Sequence, residues 1–282
     1  MLSHPDTTVP LPEHALRFQA MRSQCRILLP NTSGTRETVL AFSHHKAGST
    51  MFYGMLRMLA EAVGMKFVTI PGEMFQRGID LRQTEIETDW PNVGFCFGGF
   101  RFYPETRLPL IDTARTALLV RDPRDAIVSL YFSARDSHRV PEADGTLRRR
   151  MLAQRANAQA TPIDVWVIEN HGAVIEALTG YIAQGFLSRP NVVIYRYEDV
   201  IYRKRAWMED LLGWYGWEVG SRTLDDIVTK FDVFPKRSDT AQHIRQVHPG
   251  NHKALLKRET CRKLDDCFGN LLGVLGYTVE PS

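Results

Sequence analysis

Residues 43 to 50 read Ser43-His44-His45-Lys46-Ala47-Gly48-Ser49-Thr50. A β-branched and apolar run, Thr38 to Phe42, precedes them, and apolar residues at Met51, Met55, Met58, Leu59 and Ala62 follow. The first run predicts a strand. The second has the spacing of one helix face, with Gly64 placed to end it. A strand, a glycine turn and a helix present backbone N–H groups at a helix N-terminus, where the macrodipole amounts to roughly half a positive charge. Here those groups belong to Gly48, Ser49 and Thr50. Gly48 lets backbone approach an anion closely, and Lys46 adds a full charge. In the Walker A loop the lysine follows the last glycine. Lys46 comes before Gly48 instead, so the loop is either an anion cradle of a different plan or an ordinary βα turn with a capping serine.

The pattern continues outward from that loop. Lys66 to Ile70, Val93 to Phe97, Thr116 to Val120 and Val192 to Tyr197 read as further strands, with a turn at Pro71-Gly72 and the third strand closed by Gly98-Gly99. Between and after them, residues 147 to 185 (broken at Thr161-Pro162), 207 to 213, 224 to 230 and 257 to 275 read as helical. Such alternation predicts an α/β fold, a single domain whose central, mostly parallel sheet is flanked by helices. Ligands in such sheets sit at the carboxyl ends of the strands. Residues 1–36, rich in Pro, Thr and Ser, read as an N-terminal arm with a short helix around Glu13 to Gln24, ahead of a domain over 37–282.

Bulk composition narrows the class. A chain of 282 residues with 44% hydrophobic content can bury a sizeable core. A net charge of only +3 does not suggest a nucleic-acid binder but is compatible with an anionic ligand. The basic runs Arg148-Arg149-Arg150 and Arg203-Lys204-Arg205 read as solvated faces. Cys25, Cys96, Cys261 and Cys267 form no C-x-x-C pair, so they read as reduced thiols of a cytoplasmic protein, with no zinc pattern. The first residues lack the charge and apolar core of a signal peptide. No apolar run approaches the ~18 residues of a membrane helix, so no membrane insertion is expected.

Two more motifs fall beyond strand ends. Arg121-Asp122-Pro123-Arg124-Asp125 stands where the fourth strand gives way to a helix, with aspartate as N-cap and proline in the first turn. Ser129 lies eight residues after Arg121, and an arginine fork with a hydroxyl suits a second phosphate. The segment from His243 to Lys253 is basic, contains Pro249 and Gly250, and reads as a loop.

Together these motifs resemble the sulfotransferases that use 3′-phosphoadenosine-5′-phosphosulfate (PAPS). That family's first loop reads [YH]-P-K-[SA]-G-[ST]-[ST]; here it reads His44-His45-Lys46-Ala47-Gly48-Ser49-Thr50. Its R-[ND]-P-R-D-x-x-x-S motif matches Arg121 to Ser129. Tyr197-Glu198-Asp199 resembles its Y-E-D strand end, whose tyrosine lies near the adenine. The late segment resembles R-K-G-x-x-G-[DN]-W-K: Arg245, Gly250, Asn251 and Lys253 keep the pattern, while Gln246, Val247 and His252 replace Lys, Gly and Trp. The match runs in order from residue 39 to about residue 277. It implies the P-loop-like sulfotransferase fold. It also implies that the amides of Ala47, Gly48, Ser49 and Thr50 hold the 5′-phosphate. Arg121, Ser129 and Arg245 would hold the 3′-phosphate, with a backbone donor at Val247. Lys46 would meet the charge that grows on the phosphosulfate bridging oxygen. No metal is implied.

The resemblance stops at the base. The steroid and phenol branch carries K-T-H-L-P at the end of the third strand; this chain has Phe97-Gly98-Gly99-Phe100-Arg101. Other branches use a glutamate 20 to 30 residues past the lysine, which points to Glu73, with Glu105 second; His44 and His45 are further candidates and His138 reads as surface. Phe100, Phe102, Tyr103, Tyr131 and Phe132 gather near the expected acceptor cleft, as wall or as core. The acceptor itself, a small molecule, lipid or carbohydrate, and the oligomeric state, a homo-oligomer included, stay open. Two competing readings are a P-loop nucleotide kinase, disfavoured by the position of Lys46, and a non-catalytic protein that binds PAPS or its product PAP, disfavoured by intact Lys46, Arg121 and Ser129.

Overall fold

The computed structural model describes residues 15–20, 23–81, 84–86, 89–104, 108–142, 144–234 and 247–279. Strands β1 (Ala15–Ala20), β2 (Ser23–Leu28) and β5 (Thr84–Ile86) form a small antiparallel sheet in the order β2-β1-β5. Strands β3 (Val39–Ser43), β4 (Lys66–Thr69), β6 (Phe95–Phe100), β7 (Thr116–Val120) and β8 (Val192–Arg196) form a parallel sheet in the order β4-β6-β3-β7-β8. Helices α1 (Ser49–Ala62), α2 (Ile70–Gln76) and α3 (Pro123–Phe132) follow β3, β4 and β7. Then come α4 (Thr146–Ala160), α5 (Ile163–Asn170) and α6 (Gly172–Ala183) before β8. After it come α7 (Tyr197–Val200), α8 (Lys204–Tyr215), α9 (Ser221–Phe231), α10 (Asn251–Leu255), α11 (Arg258–Phe268) and α12 (Asn270–Val274).

The parallel strands are apolar on both sides because both faces are covered. Leu40, Phe42, Phe97, Leu118 and Val120 point into one core, shared with α3, α5, α6, α11 and the small sheet. Val39, Ala41, Cys96, Ala117 and Leu119 point into the other, shared with α1, α8 and α9. This is the period of 2 that a strand imposes.

Four expectations are corrected. The short helix expected around residues 13 to 24 does not form over the described part. Strands β1 and β2 make an antiparallel pair with Leu16 opposite Ile27 and Phe18 opposite Cys25, all four buried against the core. Alternation wins over helix propensity there because an apolar face awaits it. Pro71-Gly72 is not a turn but the first turn of α2, where proline loses no intrahelical bond. Gly98 and Gly99 do not close the third strand; they lie inside β6. Gly99 adopts φ 86°, and a Cβ there would stand 2.2 Å from Thr69 Oγ1 of β4. Lastly, Lys204 is not solvated. It is buried, donates to the Ile201 carbonyl (2.7 Å) and Asp232 (2.8 Å), and sits 4.1 Å over the Phe234 ring.

The chain crosses from one side of β3 to the other between β6 and β7. The crevice outside the carboxyl ends of β3 and β7 is therefore the topological switch point, the usual ligand site of an open parallel sheet.

Candidate active site

The turn after β3 leads straight into α1. Phe52 N–H donates to the Gly48 carbonyl (3.1 Å), and no side chain caps this 14-residue helix. Its N-terminal dipole faces the crevice, with Gly48 and not a capping side chain at the N-cap position. Ala47 is buried, and its N–H donates to the His44 carbonyl (3.3 Å). Lys46 adopts φ 67°, a left-handed conformation that costs a side-chain-bearing residue about 1–2 kcal/mol. Gly48 has φ 87°, and a Cβ on it would lie 2.7 Å from the Tyr197 ring. The glycine is therefore required both by its backbone and by its neighbour.

Because β7 pairs with β3, Arg121 emerges beside this turn. Its side chain is 4% exposed. One terminal nitrogen donates to the Lys46 carbonyl (3.2 Å), the other lies 3.5 Å from Asp125, and the guanidinium stacks 4.6 Å over the Tyr197 ring. Among the described residues Nε and Nη2 nonetheless find no hydrogen-bond acceptor, though both are buried. Such orphaned donors are costly, and an anion in the crevice would supply what they lack. His44 fastens the two loops together: the Arg121 backbone N–H donates to its Nε2 (2.8 Å). Burial pulls this imidazole down to about 4, so it is neutral and free to accept that bond. Ser129 lies half-buried on α3, two turns beyond Arg121.

The remaining charges of the Arg121 motif hold the scaffold. Asp122 caps α3 through the Arg124 N–H (2.9 Å), and its own N–H donates to Glu198 (3.0 Å). Arg124 is buried, bonded to Asp122 (2.7 Å) and to Asp265 of α11 (2.7 Å). Asp125, 1% exposed, accepts from the N–H of Gly250 (2.7 Å) and from the N–H (2.9 Å) and Nδ1 (2.7 Å) of His252. The Tyr197 hydroxyl donates to the Val247 carbonyl (2.6 Å), and Val247 and Tyr197 are both buried. The described part of the late segment is thus clamped onto the Arg121 side of the crevice at two points, Asp125 and Tyr197. From Asn251 it is the helix α10 and not a loop. Lys253 is exposed.

The candidate bases separate. Glu73 is exposed in the first turn of α2, at the carboxyl end of the sheet. Glu105 and Arg245 lie outside the described residues. His44 is a neutral structural link. His45 is half-buried beside the cleft; burial first, then the charges of Arg101, His138 and Lys46, hold it well below the usual imidazole range. His138, expected at the surface, is half-buried. Tyr53 of α1 steadies this edge, its hydroxyl donating to the Phe100 carbonyl (2.5 Å) and lying 3.1 Å from the Ser43 hydroxyl. Of the aromatic residues, Phe100 is core, stacked on Phe42 (4.7 Å), and Tyr131 packs on Trp166 (5.5 Å). Phe102, Tyr103 and Phe132 remain partly open.

A family model for the sulfotransferase domain matches residues 110–273, more than half of the chain. The chain belongs to the sulfotransferase family. The matched span holds Arg121, Ser129 and Tyr197; the Lys46 loop precedes it. Among solved structures, mouse sulfotransferase SULT7A1 complexed with PAP is similar at a TM-score of 0.55, with 12% identity over 84% of each chain. Retinol dehydratase in complex with androsterone and the inactive cofactor PAP gives 0.50, with 13% identity over 86% of this chain and 82% of that one. Retinol dehydratase with retinol and PAP gives 0.50 and 13% over 88% and 84%. These likenesses show a shared sulfotransferase fold. No curated protein matches the sequence. Among the described residues no helix is long and apolar enough to cross a membrane, and no cluster of His, Cys, Asp and Glu is arranged for a metal.

Sequence reasoning missed the tether from Asp125 to His252, the fixed backbone of Gly99, and Arg101. Only the first left a trace: an aspartate in a first helical turn, opposite a late segment that had lost a Lys and a Trp.

Proposed function

We propose that the protein transfers a sulfuryl group from PAPS to a hydroxyl or amine of an acceptor by in-line displacement. One observation carries the reading: an early lysine on a tight turn and a buried arginine with orphaned donors meet at the switch point of the sheet. That pairing fits a nucleotide with phosphates at two places. The amides of Ala47, Gly48, Ser49 and Thr50 take the 5′-phosphate at the α1 N-terminus. Arg121 and Ser129 take the 3′-phosphate, with Val247 and Tyr197 closing that side. PAP complexes of the structurally similar enzymes support this choice of donor.

Sulfuryl transfer resembles phosphoryl transfer, so positioning and charge dominate the rate. Lys46 neutralises charge that builds on the bridging oxygen. Its carbonyl is held by Arg121 (3.2 Å), so the group that meets the leaving oxygen and the group that grips the nucleotide move as one. Glu73 takes the acceptor proton. Gly99 stands where the steroid and phenol branch has its histidine. Its φ of 86° and the closeness of Thr69 leave no room for a side chain there, which supports a base from another element. The loops of the site all leave the parallel sheet, which begins at β3, and this supports a catalytic domain from 37 onward preceded by an arm over 1–36 whose strands β1 and β2 pair with β5 and pack on that domain. All four cysteines are unpaired, as suits a reducing, cytoplasmic setting.

Calorimetry with PAP, AMP and magnesium ATP tests the reading. PAP should bind at least about tenfold more tightly than AMP, because the fork of Arg121 contributes only when a 3′-phosphate is present. A preference for magnesium ATP would transfer the case to a kinase.

A further inference from the structure

Arg101 takes no part in the donor site just described, yet it stands beside it. It follows β6 directly, and Phe100 pairs with Phe42 of β3, so Arg101 leaves the sheet next to the turn that carries His45 and Lys46. Its side chain is half-buried, and among the described residues it makes no hydrogen bond or ion pair. Arg101 and Lys46 are the permanent cations beside His45, and no carboxylate stands among the described groups that bear most on that imidazole. Arg155 of α4 donates to the His138 carbonyl, while its own Nε is buried without an acceptor.

A half-desolvated guanidinium without a counter-ion is unfavourable unless something supplies one. The fork of an arginine fits planar or tetrahedral oxyanions in a two-pronged way. Phe102, the next residue in the chain and partly open, adds apolar surface beside it. An apolar pocket with one placed charge selects by that charge. Building on the sulfuryl-transfer reading, we propose that the acceptor bears an anionic group, such as a carboxylate or sulfate, seated on Arg101. The enzyme then selects acidic aryl or lipid-like acceptors over neutral ones. The same oxyanion chemistry could come from the sulfuryl end of the donor, and the test separates the two sources.

The experiment uses the full chain and matched probes: 2-naphthoate against 2-naphthalenemethanol, and octanoate against octanol. Calorimetry is run on wild type and Arg101→Gln, with and without saturating PAP, alongside direct binding of PAP and PAPS. The expected result is that at least one acid binds tenfold or more tightly than its alcohol, as a charge-assisted pair would give. Arg101→Gln should bring that acid down to its alcohol's level and leave PAP affinity within about twofold. Acids that bind no better than their alcohols overturn the proposal. So does a preference that survives Arg101→Gln. Weakened PAPS binding with unchanged PAP and acid binding also overturns it, since Arg101 would then serve the donor's sulfuryl oxygens. Failure of wild type to bind PAP counts against the sulfuryl-transfer reading alone, because the acid arm is read without nucleotide as well. Thermal unfolding of Arg101→Gln checks that the variant is folded.

Discussion

Asp125→Asn is the perturbation that examines most of the donor side at once. The carboxylate is 1% exposed and receives three bonds from the late segment, at 2.7, 2.9 and 2.7 Å, with Arg121 at 3.5 Å. Burial alone would raise its pKa. The hydrogen bond from His252 and the charge of Arg121 outweigh burial and hold it at about 2, against a usual 3.8. A folded value below the unfolded one means stability that is present above the unfolded pKa and lost as pH falls through the folded one. The gap corresponds to about 2 kcal/mol at neutral pH. Asparagine resembles the protonated acid, so Asp125→Asn should cost at least about 2 kcal/mol at pH 7, and about half of that at pH 3. Urea unfolding of both proteins at pH 7, 5, 4 and 3 reads the difference. PAP affinity should fall about tenfold, since the late segment and Arg121 both lose an anchor. A stability difference under about 0.5 kcal/mol, or one that does not shrink between pH 5 and 3, would refute the reasoning that this carboxylate is a paired, charged tether.

Three other substitutions address single parts of the site. Lys46→Gly removes the ammonium and the left-handed strain together, so urea unfolding should show no loss of stability while single-turnover transfer falls more than about a hundredfold. Gly48→Ala forces a Cβ to 2.7 Å from the Tyr197 ring at φ 87°; it should lose at least about 2 kcal/mol in thermal unfolding and abolish PAP binding in calorimetry. Glu73→Gln, at an exposed position, should leave melting temperature and PAP affinity unchanged and lower kcat by about a hundredfold or more; full activity in that variant would move the base elsewhere.

What the sequence disclosed and what it hid divide along the range of the interactions. The Lys46 turn, the strand Thr116–Val120 and the capped start of α3 are set by neighbours within a few residues, and each could be read from its own segment. The pair Leu16 and Phe18, and the pair Cys25 and Ile27, alternate as a strand should, but so short an alternation acquires meaning only once a core faces it. Gly99 is fixed by Thr69, thirty positions away, and nothing in its own neighbourhood distinguishes it from a strand-closing glycine. The clamp between Asp125 and His252 spans 127 positions.

The Arg121 motif shows the same division inside five residues. Its two arginines and two aspartates look alike in sequence, yet they pair crosswise. Arg121 precedes the helix and Asp125 lies one turn into it, so both reach the crevice, with the aspartate 3.5 Å from the guanidinium. Arg124 and Asp122 are two residues apart across the cap and turn the other way, toward Asp265 of α11. One pair therefore leaves donors orphaned for a ligand, and the other is saturated within the protein: Arg124 makes four hydrogen bonds to carboxylates, whereas two buried nitrogens of Arg121 make no hydrogen bond among the described residues, the ion pair with Asp125 being long at 3.5 Å. The helix start creates this asymmetry. It rotates successive side chains away from one another, so that a short charged motif can bind an anion on one side while fastening the C-terminal helices on the other.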